Sequence, residues 1–166
     1  MSHVPPPLPP VVPEAKELVQ VLTDLVGKTV VLRSVVGTPK PAVGPQFQAL
    51  YRDDEGAPRV LCTADLPFVA GLAAALAMMP PAAAKDVAKS GQLSELLLDC
   101  AREVLNVTAK LLNQPGGVHV VLRDVAVAPK QLPADIRAAL LKAPSKKEYT
   151  LDLLQYASGK LSFYAL

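Results

Sequence analysis

Apolar positions recur along the chain in two rhythms. Between residues 14 and 26, Leu18, Val21, Leu22 and Leu25 fall at three- and four-residue steps, the stripe of an amphipathic helix, and Gly27 follows in a C-cap position. Residues 28–36, KTVVLRSVV, switch to a β-branched run and predict a strand. Gly and Pro punctuate residues 37–45, which read as a loop. Residues 46–52 and 58–63 are strand candidates flanking Asp53-Asp54-Glu55-Gly56, an acidic tetrapeptide ending in glycine that suits a hairpin turn better than a cation loop. Asp65 is placed to cap a helix with Pro67 in its first turn; the apolar segment runs to Met79 and stops at Pro80-Pro81.

Residues 80–91, built from Ala, Lys and Gly, read as a linker. The best-defined element follows: residues 92–113 form a helix of about six turns, closed by Pro115-Gly116-Gly117. Residues 118–127 read as a strand and 133–142 as a short helix with Pro133 in its first turn. Residues 148–156 and 160–164 form a second hairpin, with Ala157-Ser158-Gly159 as its turn. The order helix, strand, loop, strand, turn, strand therefore occurs twice, joined by the apolar helix. No residue-level repeat accompanies it, so the symmetry is one of topology. The expected class is α+β: a mainly antiparallel sheet of about six strands, packed by two long helices plus a bridging helix, in pseudo-two-fold halves. Residues 1–13, MSHVPPPLPPVVP, are expected to be a mobile, disordered proline-rich leader, and 14–166 a single domain.

Composition narrows the function. Half the residues, 51%, are apolar, enough for a sizeable core, but aromatics are 4% and Trp is absent, so Leu, Val and Ala must build it. The formal charge of +2 comes without a basic block or interleaved aromatics, which argues against nucleic-acid binding; Lys146-Lys147 reads as a solvated turn. Cys62 and Cys100 form no C-x-x-C pair, and Cys100 reads as a small core residue, in keeping with a reducing cytoplasm. No charged region followed by an apolar run opens the sequence, and the apolar segment 66–79 is too short to span a bilayer. Histidine occurs only at His3 and His119, so neither a Ser/His/Asp arrangement nor a Cys/His metal set is available, and no metal or cofactor is expected on this chain.

The chemistry that remains lies on the long helix. At about 100° per residue, Asp99, Glu103, Asn106 and Lys110 fall within about 40° of one line, flanked by Glu95, Asn113 and Arg102. Leu93, Leu97, Ala101, Val104, Thr108, Leu111 and Leu112 occupy the other side. The apolar side must meet the sheet, which leaves Glu103 and Asn106 on one outward patch. A solvated helix face ordinarily carries such residues, and Asp/Ser-x3-Glu-x2-Asn arises by chance in roughly one chain of this length in twenty, so the context has to add to the spacing.

That context is SELLLDCAREVLNVTAKLLN, which resembles the central helix of the CheC/CheX phosphatases along its whole length: Asp99, a Glu four later, an Asn three after that, then Val107-Thr108-Ala109. The likeness covers residues 57–127 and extends to the rest by element order. It implies a protein of the CheX type that accelerates dephosphorylation of a phosphorylated CheY-type receiver. The receiver supplies the aspartyl phosphate and Mg²⁺, and the helix inserts an amide and a carboxylate. Asn106 would orient the attacking water and Glu103 would pair with a receiver lysine, a division that suits phosphoryl transfer, where positioning dominates. Asp99 would support either role. Arg102, Leu105 and Lys110 depart from the pattern, which places small residues there, Gly at the position of Lys110. Long side chains at these three positions would either obstruct insertion or build a different docking face. Glu17 and Gln20 repeat the Glu-x2-Asn spacing, but Pro13 stands where the acidic residue should be, so they read as solvent-facing polarity.

The alternative is a non-catalytic interaction module on the same fold, binding a response regulator or a motility or polarity signalling protein. The resemblance also implies a homodimer, and the apolar terminal stretch 161–166 is expected to be an edge strand open to pairing with a second copy.

Overall fold

The computed structural model describes residues 4–6, 8–35, 46–127, 132–143 and 145–166; the loop expected over 37–45 and His3 lie outside them. Helix α1 (Ala15–Val26) ends at Gly27 in the left-handed conformation, with its N–H donating to the Thr23 carbonyl, as the C-cap reading required. Strands β1 (Val30–Val35), β2 (Gln46–Asp53) and β3 (Pro58–Asp65) follow, then the buried helix α2 (Leu66–Leu76). The expected linker is instead helical: α3 (Pro81–Ser90) buries Ala84 and Val87 and ends at a left-handed Gly91. Four Ala in ten residues favour a helix once two apolar side chains have a surface to cover. Then come α4 (Glu95–Leu112), β4 (Val120–Val127), α5 (Ala134–Leu141), β5 (Ser145–Leu153) and β6 (Ala157–Ala165).

All six strands join one antiparallel sheet in the order β1-β5-β6-β3-β2-β4. Exchanging β1, β2, β3 with β4, β5, β6 reverses this order onto itself, so the two halves are related by a pseudo-two-fold between β3 and β6. Helices α1, α2 and α4 pack into the main core together with Phe47, Tyr51, Phe68, Tyr149 and Phe163. On the opposite face Ile136 of α5 meets Leu50 and Leu61 in a smaller cluster. Helix α2, apolar on every side, buries nine of its residues, Leu66 through Ala75 apart from Pro67.

Four further expectations are corrected. Strand β6 lies between β5 and β3, so the terminal stretch is interior and offers no free edge for a second copy; the outer strands are β1 and β4. The second hairpin turns at residues 154–156, where Gln155 takes φ 71°, and not at Ala157-Ser158-Gly159. Gly159 is a strand residue whose missing Cβ would lie 2.8 Å from Phe68 Cβ, so the glycine serves the close approach of α2. Lys146 and Lys147 are strand residues: Lys146 stands over the Tyr164 ring at 4.8 Å and Lys147 pairs with Glu14. Asp65 makes no cap bond to α2; its carboxylate accepts from Gln46 Nε2 and the Lys160 N–H, tying β3 to both neighbours.

The expected leader runs against the domain over its described final part. Leu8 exchanges hydrogen bonds with Gly116 and Val118, Pro10, Val12 and Pro13 are buried, and the Tyr149 hydroxyl donates to the Pro13 carbonyl. Val12, an apolar side chain near the helix start, has core to bury against.

Candidate functional site

Helix α4 starts at Ser94, whose hydroxyl accepts from the Leu97 N–H at 3.3 Å, with Glu95 in the first turn and Lys110 in the last, each matched to the helix dipole. Its buried side is Leu97, Ala101, Val104, Leu105, Thr108, Ala109 and Leu112. Two connections hold it. The buried Tyr51 hydroxyl of β2 donates to the Leu105 carbonyl at 2.6 Å and meets Thr108 Oγ1 at 2.9 Å; burial pushes its ionisation well above the ordinary tyrosine range. Beyond the helix end, the Asn113 amide brackets Val120, donating to its carbonyl at 2.9 Å and accepting its N–H at 2.7 Å. This fixes the start of β4 alongside α4, and it takes Asn113 out of the polar stripe.

Between α4 and β4 lies a groove of about 230 Å³ lined by Asp99, Arg102, Glu103, Asn106, Leu122, Arg123 and Val125. Four of the six residues singled out from the sequence are thus brought together. Asp99, Arg102, Glu103 and Asn106 are all exposed, and among the described residues their side chains make no hydrogen bond or ion pair. Lys110 is exposed one turn on, outside the groove. Leu105 is a correction: it is 3% exposed, faces the core, and enlarges no docking surface. It lies about 120° round the helix from Asp99, on the buried side; being next to Asn106 in sequence put it beside the site only on paper.

Cys100 follows Asp99: partial burial, with the Asp99 carboxylate adding to it, pushes the thiol's ionisation above its ordinary range. His119 is exposed, with Nδ1 3.0 Å from Asp54 Oδ1 at the hairpin turn, a surface contact away from the groove. Among the described residues no group of three His, Cys, Asp or Glu side chains is placed to hold a metal ion, and no helix is long and apolar enough to cross a membrane.

Sequence reasoning missed the β4 wall. Leu122, Arg123 and Val125 belong to a strand called correctly, but the side of the sheet each residue faces depends on register. In β4 the register slips against β2: Leu50 opposes Asp124 and Tyr51 opposes Leu122, leaving Arg123 as the extra residue of a bulge.

No family model and no curated protein sequence matches this chain. Solved structures do. The crystal structure of Thermotoga maritima FliY aligns at 14% identity and TM-score 0.57, covering 89% of this chain and 81% of that one. The FliM–SpeE complex from H. pylori aligns at 8% identity and TM-score 0.61, covering 91% and 80%. At these identities the likeness establishes a shared α+β fold with its six-stranded antiparallel sheet and says nothing of activity. The CheX–CheY–BeF3–Mg complex from Borrelia burgdorferi aligns at 10% identity with a TM-score of 0.44, too loose a superposition to carry weight.

Proposed function

We propose that this chain docks on a phosphorylated receiver domain of the CheY type through the exposed face of α4 and speeds hydrolysis of its aspartyl phosphate. One observation carries the reading: Glu103 and Asn106 stand side by side at the mouth of a groove, with no bond of their own among the described residues. A solvated amide beside a carboxylate is free to enter a partner's site. In such a site the receiver would provide the acyl phosphate and the Mg²⁺. Asn106 would hold a water in line with the phosphorus, the water oxygen would form the new bond, and the carboxylate of the receiver aspartate would leave. Glu103 would fix register against a receiver cation.

A second reading has its own support. The likeness at TM-score 0.61 is to FliM, which in that structure is complexed with another protein; this favours a binding module on the same fold, using the same face to hold a signalling or motility protein without chemistry. Phosphate release from a panel of phosphorylated receivers with Mg²⁺ separates the two. Acceleration by the wild type and its loss in Asn106→Ala supports the phosphatase. Equal release by both, with complex formation intact, leaves the binding module.

A further inference from the structure

Of the six arginines of this chain, three have a carboxylate partner. Arg33 donates to Asp152 through Nε at 3.2 Å and Nη2 at 2.7 Å, Arg59 reaches Asp53 at 2.7 Å, and Arg52 lies 3.6 Å from Asp124. Arg137, exposed on α5 and away from the groove, has none among the described residues. Arg102 and Arg123 have no carboxylate partner among the described residues, and both line the groove that holds Asn106.

The backbone brings Arg123 there. Along a regular strand, Leu122 and Val125 would face opposite sides of the sheet, three residues apart. Here Leu122 opposes Tyr51 and Val125 opposes Ala49, both on the helix side, while Asp124 opposes Leu50 on the other side. The bulge at Arg123 absorbs the odd residue and lets Leu122, Arg123 and Val125 all line one groove.

The same bulge occurs in the other half with a different outcome. In β1, Leu32 opposes Leu151 and Ser34 opposes Thr150, leaving Arg33 as the extra residue. Arg33 is neutralised by Asp152, the residue between Leu151 and Leu153. The matching place in β2, between Tyr51 and Asp53, is held by Arg52. Arg123 therefore sits on a bulge with no carboxylate within ion-pairing distance among the described residues, in a groove that also holds a second unpaired guanidinium and a free amide.

We infer that Arg123 and Arg102 form an oxyanion clamp that takes up the phosphoryl group of an acyl phosphate presented to Asn106; the identity of that occupant rests on the function proposed above. Guanidinium forks match the oxygens of a phosphoryl dianion. The carboxylates of Asp99 and Glu103 in the same groove disfavour a bare anion and favour one that arrives with a cation beside it, as a receiver's phosphorylated site does. Arg123 is thus a docking residue contributed by β4, distinct from the α4 pair.

Two measurements on the full chain test this independently. In the first, acetyl phosphate, a small acyl phosphate, is titrated with Mg²⁺ into isotopically labelled protein. Saturable NMR shifts are expected at Arg102 Nε, Arg123 Nε and the Asn106 amide, with those at Arg102 and Asn106 lost in Arg123→Gln and all three kept in Arg33→Gln. The absence of saturable shifts, or their persistence in Arg123→Gln, overturns the clamp whatever the chain does to receivers. In the second, Arg123→Gln is expected to raise KM for a phosphorylated receiver about tenfold with kcat little changed, with partial recovery in Arg123→Lys. Receiver hydrolysis with an unchanged KM would refute the clamp and leave the phosphatase standing. Saturable shifts without hydrolysis of any receiver would refute the phosphatase and leave the clamp.

Discussion

Helices α1 and α4 occupy equivalent places in the two halves of one sheet, yet only α4 presents a free amide beside its carboxylate. Set together at their last residues, Val26 and Leu112, the buried Leu18, Leu22 and Val26 stand at the positions of Val104, Thr108 and Leu112. Glu17 and Gln20 then take the places of Glu103 and Asn106, and Pro13 that of Asp99. In the first half the amide and the bulge arginine are engaged: Gln20 donates to Asp24 at 2.9 Å and Arg33 to Asp152, while Glu17, like Glu103, makes no such bond among the described residues. In the second half Asn106, Glu103 and Arg123 make no such bond among the described residues. The frame is shared, so the frame does not make a site. What distinguishes the halves is whether the amide and the bulge arginine already have an internal partner.

The comparison can be tested by removing groups in matched pairs. The largest effect is expected for the amides: Asn106→Ala should lower the acceleration of phosphate release from the receiver on the order of 10²-fold, with binding largely kept. Gln20→Ala should leave it unchanged. Equal losses in both would mean that the halves are not functionally distinct.

Next comes the anchoring of the helices, which chemical denaturation reads. Tyr51→Phe removes a buried hydroxyl bonded to Leu105 and Thr108 and should cost about 1 kcal/mol, and with it some of the phosphate release proposed above, because α4 loses one of its two tethers to the sheet. Tyr149 holds the segment before α1, and burial, with Glu14 adding to it, pushes its hydroxyl up to about 12. A phenol whose folded value lies above its unfolded one contributes stability that is complete below about pH 10 and lost as pH rises through the folded value. The melting temperature should therefore fall between pH 10 and 12, and Tyr149→Phe should make that fall shallower without abolishing it, since Tyr51 is raised as well. An unchanged alkaline profile in Tyr149→Phe would remove Tyr149 from this account.

The smallest effect is expected at the exposed Arg33–Asp152 pair. Arg33→Gln should change stability by under about 1 kcal/mol, because an exposed pair is screened by solvent, and should leave phosphate release untouched. A loss of activity there would show that the first half also carries function.

How much was legible depended on how local the cause was. The acidic turn after β2 was readable because it is self-contained: Asp53 accepts the Glu55 and Ala57 N–H groups, and Gly56 takes φ 86°. The bond from Arg59 to the same carboxylate, which with those N–H groups holds Asp53 below the usual carboxylate range, joins positions on either side of the turn and was not anticipated. Gly159 was misread because glycine signals both turns and close approaches; only the Phe68 contact tells them apart. Leu105 borders Asn106 in sequence, but helical periodicity turns it to the buried side.

The sequence by itself determined most of the elements, α3 and the second hairpin turn excepted, and the outward polar stripe of α4, because a helix or a hairpin turn is set largely by residues a few positions apart, and 3.6-residue periodicity separates Asn106 from Val104 without reference to anything else. Only the tertiary structure decided which stripe is a candidate site. Strand order put the terminal strand inside the sheet, and a one-residue slip between β4 and β2 brought Arg123 to the groove. Both depend on pairings between residues far apart in the chain, where a shift of a single position turns a side chain to the other face.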